Sequence, residues 1–374
     1  MKSYIVVGAG ILGASAAYHL AKSGANVTLI DRQDQGRATD AAAGIVCPWL
    51  SQRRNQAWYK LAKGGARYYT DLIKQLEADG ESDTGYKRTG AISLYTDERK
   101  LDQMEERAHL RRKDAPEIGE IARLSPAATK RLFPPLADEY GSVHISGAAR
   151  VNGKALRRSL VNAAQKHGAA VLKGNASLLY EDHRVTGVRT DDRVIHADQV
   201  LITAGAWASE LLKPLGLNFL VTYQKAQIIH LRLSDADTGS WPVVMPPHDQ
   251  YILAFEDGRI VAGATHENEA ELGDCRVTAG GLHDIFKKAL AIAPGLEKGM
   301  MLEARVGFRP FTPGFLPVIG PLSNVSGLLI ANGLGASGLT SGPYLGRELA
   351  KLALGEPLEI DVGLYDPAGA LDMS

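Results

Sequence analysis

Gly8, Gly10 and Gly13 stand near the start of the chain in the order Gly-x-Gly-x-x-Gly. An apolar run at 4–7 precedes them, a small-residue helical pattern at 12–22 follows, and Gly24 closes it. In that setting each glycine has a task. Gly8 makes a tight turn, Gly10 lets backbone approach a pyrophosphate, and Gly13 lets the helix pack closely on the strand. The unpaired amides at the helix start then face the anion. A second apolar run at 27–30 ends on Asp31, where a carboxylate can accept hydrogen bonds from an adenosine ribose. Glycines alone would fit any tight turn, but strand, turn, helix, strand and acid in this order point to a dinucleotide site.

These residues leave FAD and NAD both open. Near the other end, an apolar run at 328–331 leads into Asn332-Gly333-Leu334-Gly335-Ala336-Ser337-Gly338 and then a helical pattern at 344–354. That stretch reads either as a second backbone cradle or as a loop with a helix cap. A flavin dinucleotide spans a first and a last segment more naturally than a nicotinamide cofactor held in one compact domain.

The elements that must position these groups are legible in part. Helical patterns are expected at 65–76, 98–111, 154–166 and 282–291, and strands at 91–95, 171–172, 185–188, 199–203, 227–231, 251–255 and 259–262. Asp257-Gly258 is a hairpin signal between the last two strands. Nucleotide-site elements occur at both ends, so the expected fold is α/β, a Rossmann-like dinucleotide domain interleaved with a mixed β-sheet substrate domain. The expected division is 1–90, 141–220 and 311–374 for the first domain, with 91–140 and 221–310 for the second.

The 374 residues carry 42 Lys plus Arg against 42 Asp plus Glu, and 45% are apolar. A balanced chain of this length can bury a sizeable core and gives no reason to expect nucleic acid as a partner. The run Arg107 to Lys113 reads as a solvated helix face. Two cysteines, Cys47 and Cys275, make neither a disulfide framework nor a metal motif. No metal site is expected. The first residues run straight into a strand and no stretch reads as a membrane span, so the cytoplasm is the expected location.

Taken in order, the N-terminal unit, Thr39 through Gly44, Ala204-Gly205-Ala206-Trp207, Gly263-Ala264-Thr265, Gly307-Phe308-Arg309-Pro310 and Gly333 through Gly338 resemble the D-amino-acid oxidase and glycine oxidase superfamily, which includes sarcosine oxidases and D-amino-acid dehydrogenases. The resemblance covers essentially the whole chain. It implies FAD lying between the two domains and a hydride taken from the carbon that bears an amine, giving an imine that hydrolyses. It also implies that Thr39, Ala42, Ala43, Gly44, Gly205, Gly335 and Gly338 join Gly8, Gly10, Gly13 and Asp31 around the cofactor. Arg309 falls where glycine-oxidase-like members hold the substrate carboxylate, a task that suits a guanidinium fork. Tyr251 resembles the substrate-facing tyrosine, and a core role is equally open. His266 falls near a substrate-facing position where glycine oxidase has an apolar side chain. It is expected either to tune a pocket proton or to be an ordinary hydrogen-bonded histidine.

Phe311 stands where monomeric sarcosine oxidases carry the cysteine that attaches flavin, so the resemblance implies dissociable FAD. Ala336 and Ser337 replace a second arginine of glycine oxidase. The lysine linked to oxygen activation is not evident near Arg259-Ile260-Val261. Glycine, sarcosine and small D-amino acids are the expected substrates, with oxygen or a quinone as acceptor. The competing readings are an FAD-bound subunit of a larger amine dehydrogenase complex or an NAD-dependent dehydrogenase, and a homo-oligomer is left open as the assembly.

Overall fold

In a computed structural model the described residues are 2–191, 193–234 and 237–372. Their strands fall mainly into two large sheets. The nine-stranded sheet has a parallel centre, Val325–Asn332, Gln199–Ile202, Ser3–Val7, Asn26–Asp31 and Ala170–Lys173 lying side by side. From Ser3–Val7 the chain crosses to one neighbour directly and reaches the other only after almost 200 residues. The strand order reverses there, which opens a crevice at the carboxyl ends of the strands. Helix Ile11–Lys22 covers one face and is buried on almost every side, which explains why its sequence is small and apolar all round rather than amphipathic.

The second sheet has eight strands, in the order Met300–Phe311, Thr222–Arg232, Arg259–Gly263, Tyr251–Ala254, Val243–Met245, Ala91–Tyr95, Gly141–Ile145 and Ile121–Leu124. Asp257 and Gly258 both adopt left-handed φ, +60° and +72°, as a two-residue hairpin turn requires. Helix Ala279–Ile292 packs on the outer face of this sheet, with Ile285, Ala289 and Ile292 meeting Ile229, Ile252 and Ala262 in one apolar cluster.

The sequence reading needs four corrections. Gly141–Ile145 pairs with Ala91–Tyr95 in the second sheet, so the chain leaves that sheet later than the expected 140 and regains the first with helix Gly153–Lys166 and strand Ala170–Lys173. The helix expected at 65–76 spans Gln56–Ala78, capped where the Asn55 side chain accepts from the Trp58 amide at 2.9 Å. Gly64 and Gly65 lie within it. They are the contact surface with the last helix, where a Cβ on Gly65 would lie 2.2 Å from the Thr340 carbonyl oxygen. Strand Met300–Phe311 was not anticipated, because Met300, Met301 and Leu302 lie exposed in succession and break the alternation. Finally, Arg111 is not on a solvated face. Its Nη1 donates to the carbonyls of Trp49 at 2.6 Å and Ser51 at 2.7 Å, and its guanidinium stacks on Tyr59.

The last helix, Gly338–Leu354, crosses Ile11–Lys22 at Gly346, where a Cβ would come 2.5 Å from the Leu12 carbonyl oxygen and 2.6 Å from Ser15 Cβ. Both atoms belong to rigid helix. Gly346→Ala is therefore expected to cost about 1–3 kcal/mol, the usual range for overpacking. Denaturant unfolding of the variant beside the parent chain measures that loss.

Candidate active site

The carboxyl ends of the central strands and the inner face of the second sheet enclose a cleft of about 400 Å³. Its walls include Val7, Ile30, Thr203 and Ala331 from the first sheet and Ala226, Tyr251, Gly307 and Arg309 from the second. Its polar lining includes Asp31, Gln33 and Glu210 beside the first sheet and Tyr251 and Arg309 from the second. A mostly apolar slot with polar groups from both sheets suits a ligand that joins an anionic part to an aromatic one.

The glycine turn is crowded on the protein side and open on the cleft side. Gly8 has φ +102°, and a Cβ there would lie 2.7 Å from the Thr203 carbonyl oxygen; one on Gly13 would lie 1.9 Å from the Gly8 carbonyl oxygen. At Gly10 the nearest atom to an added Cβ is Thr39 Oγ1, 3.7 Å away, and at Gly338 nothing lies within 4 Å. Both of these glycines line the cleft. The emptiness above them is the space a pyrophosphate and a flat ring system require. Thr39 Oγ1 accepts from the Ile11 amide at 3.0 Å, so a residue from another segment caps the first turn. The other amides of that turn have no partner within the helix and remain for an anion.

All eleven cofactor positions expected from the sequence, Gly8, Gly10, Gly13, Asp31, Thr39, Ala42, Ala43, Gly44, Gly205, Gly335 and Gly338, can be located. All but Gly13 line the cleft, and Gly13 packs directly beneath the turn. Asp31 is more committed to the protein than expected. It accepts from the Ala9 and Gln33 amides, each at 2.6 Å, and pairs with Arg37. A carboxylate has about four acceptor positions, so about one remains for a ribose hydroxyl. Arg37, unmentioned in the sequence reading, holds Asp31 and Asp40 together from the cleft wall. Asn332, also missed, donates to the Gly205 carbonyl at 2.9 Å and accepts from the Gly333 amide at 2.7 Å, tying the two glycine loops together. Only its place before a glycine run hinted at this.

On the second sheet, Arg309 Nη1 donates to Gln224 Oε1 at 3.0 Å, from the residue paired with it across the strands. Among the described residues Arg309 makes no ion pair, which sets it apart from Arg150, buried against Glu256. Tyr251 also lines the cleft. Burial raises its phenol above the ordinary range while the Arg309 charge opposes this, so the hydroxyl stays protonated and able to donate. His266 is not in the cleft wall. It lies beside it, with burial and then the Arg309 charge lowering its proton affinity and Asp249 raising it. The other histidines and both cysteines are absent from the wall too. Burial pushes the Cys47 thiol up to about 12, and Phe311, not a cysteine, follows Arg309-Pro310.

The family described as DAO, FAD dependent oxidoreductase, matches residues 3–352. The chain belongs to this family. It is thus an FAD-dependent oxidoreductase, and its cofactor is held without a covalent bond. Among its relatives, the uncharacterized oxidoreductase YurR of Bacillus subtilis is 72% identical over 371 residues, covering 99% of this chain and all of its own. Glycine oxidase of Pseudomonas aeruginosa is 32% identical over 371 residues, 98% of this chain and 99% of that protein. Among solved structures, the iminodiacetate oxidase of Chelativorans sp. BNC1 superposes with a TM-score of 0.95 at 47% identity, over 97% of this chain and 98% of that one. No helix among the described residues is long and apolar enough to cross a membrane.

The contrast between Gly10 and Gly13 yields a test. Gly10→Val is expected to fold with nearly unchanged stability as apoprotein yet elute from gel filtration without flavin absorbance. Gly13→Val, which meets backbone, is expected to lose several kcal/mol of stability.

Proposed function

We propose that this oxidoreductase oxidises the C–N bond of a small amino acid or N-substituted glycine whose carboxylate is held by Arg309, with Tyr251 as a second donor. The observation that carries the reading is the state of Arg309. It is a half-buried guanidinium in the cofactor cleft whose partners, the Gln224 amide and the Tyr251 hydroxyl, are both neutral. Desolvating a charge without a counter-ion is costly, and an anionic ligand offsets that cost. The fork can still make two parallel bonds to a carboxylate.

FAD, when bound, supplies the acceptor for hydride from the carbon bearing the amine. The chain's own residues do the rest by placement. Arg309 and Tyr251 fix the carboxylate, the apolar wall around Ala226 and Gly307 excludes water, and the substrate's α-carbon is thereby turned toward the glycine-lined side of the slot. The amine must give up its proton before its lone pair can assist, and water hydrolyses the resulting imine. Similarity to an enzyme named iminodiacetate oxidase supports a secondary amine with carboxymethyl arms, and similarity to glycine oxidases supports glycine and sarcosine. Oxygen or a quinone takes the electrons onward.

The test is anaerobic bleaching of the bound flavin by iminodiacetate, sarcosine, glycine, L-proline and a D-amino-acid panel, followed by oxygen. Bleaching by one of the carboxylated amines is expected, and the speed of colour return distinguishes an oxidase from a dehydrogenase. Losing a charge-assisted pair costs about 1.5–3 kcal/mol. Arg309→Lys should therefore raise KM about 10- to 100-fold with flavin content intact. An unchanged KM would remove Arg309 from the carboxylate site.

A further inference from the structure

A Ser, Thr, Asp or Asn before a helix normally turns its side-chain oxygen back onto an amide of the first turn. This chain follows the rule at Asn55, Asp97, Asn152 and Thr278, which accept from the amides of Trp58, Arg99, Ala155 and Gly281. Ser337 precedes the last helix, Gly338–Leu354, and does not cap it. Its backbone, at φ −99° and ψ 12°, is not the extended form that a capping serine adopts. Its oxygen is engaged elsewhere. Trp58 Nε1 donates to Ser337 Oγ at 2.7 Å, and both side chains are buried.

The indole is itself held firmly. Asn55 Oδ1 accepts from the Trp58 amide at 2.9 Å, and the Tyr365 hydroxyl donates to the neighbouring Ala57 carbonyl at 2.8 Å. The Arg53 guanidinium lies 4.8 Å from the ring centre, and its Nη2 donates to the Phe315 carbonyl. An indole has one N–H and accepts nothing, so this donor serves Ser337 alone. Beyond the serine the helix opens on the cofactor cleft. Gly338 and Leu339 line it, and nothing lies within 4 Å of a Cβ added to Gly338. The first amides of a helix have no partner inside it, and that end carries partial positive charge. A capping serine would consume one of those donors and set its lone pairs against the others.

We infer that Trp58 is a positioning residue for the cofactor. By holding Ser337 Oγ it keeps the serine from capping the last helix and leaves the amides of that helix free toward the cleft. A hydride brings two electrons and one proton, so its arrival adds one negative charge to the acceptor. Free amides at a helix start stabilise such a charge without having to move, whereas a neutral acceptor gains little from them. Trp58 therefore favours reduced over oxidised flavin, whichever amine supplies the hydride.

The measurement is the two-electron reduction potential of the bound flavin, by dye equilibration, in Trp58→Phe, Ser337→Ala and the double variant. Trp58→Phe frees the serine to cap. It is expected to weaken reduced relative to oxidised FAD about 10-fold, which is about 30 mV for a two-electron couple. Ser337→Ala cannot cap and should hold the parent potential. The double variant should recover that potential, because the competing oxygen is gone. If Trp58 served packing alone, the double variant would stay as impaired as Trp58→Phe. A parent-like potential in Trp58→Phe, or an unrecovered one in the double variant, overturns the inference. Hydrogen exchange of the Trp58 indole N–H needs no phenylalanine variant to fold. Ser337→Ala should speed it about 10-fold, and an equal rate in both proteins also overturns the inference. Neither measurement uses an amine, so both stand whether or not the function proposed above survives its own test.

Discussion

The close approach of helix Ile11–Lys22 to the ends of two parallel strands is the constraint on which the rest depends. Gly8 and Gly13 can have no Cβ because the Thr203 and Gly8 carbonyls already occupy that volume. Thr203 makes this contact cohesive as well as tight, its Oγ1 donating to the Val7 carbonyl at 3.0 Å and the Gly8 carbonyl at 2.8 Å. The turn is thereby drawn against the neighbouring strand. Once the helix is seated so low, its unpaired amides point along the cleft floor, and Gly10 is the one glycine of the three whose missing side chain leaves space for a ligand. A cofactor site results from packing that serves stability first.

The same economy sets the distance between cofactor and substrate groups. The Phe308 amide donates to the Gly36 carbonyl at 2.9 Å, and a Cβ on Gly307 would come 2.9 Å from Ala41 Cβ. The segment that caps the first helix through Thr39 is thus docked directly on the strand that carries Arg309. Arg305 reinforces the contact by donating to the Asp40 carbonyl at 3.1 Å. Two sheets built from interleaved parts of the chain share one short, rigid bridge. A substrate oriented by Arg309 is then referred to the same backbone that holds the pyrophosphate, which is how a cleft between domains keeps the registration that hydride transfer needs.

Sequence gave access to the parts whose local chemistry is self-contained. The glycine turn, the acid after the second strand and the Asp257-Gly258 hairpin each need particular residues at particular φ values, and each was found where expected. What could not be read depends on partners distant in the chain. The use of Gly64 and Gly65 inside a helix shows only when the last helix is present to fill the space. Arg111 resembles one more surface cation until Trp49 and Ser51 present their carbonyls. Met300–Phe311 lacks alternation because its first residues lie exposed at a sheet edge while Gly307 and Phe308 are buried. Arg309 could be placed by resemblance, but its lack of a carboxylate partner is a property of the assembled cleft.

That lack is what turns a motif into an argument about ligand chemistry. Arg150, the most deeply buried arginine, shows how the fold treats a structural guanidinium. It is 1% exposed, paired with Glu256, hydrogen-bonded to backbone carbonyls and stacked on Phe255. Arg347 is likewise surrounded by Glu348, Glu359 and two tyrosine rings. Arg309 receives only neutral groups, Gln224 and Tyr251, although a carboxylate at that cross-strand position would have stabilised the folded chain more. A glutamate there would also have competed with any anionic substrate for the same fork. The neutral amide orients the guanidinium without neutralising it. The fold thus forgoes a stabilising ion pair at the one arginine that faces the cofactor cleft from the second sheet, and an anion bound there restores the balance.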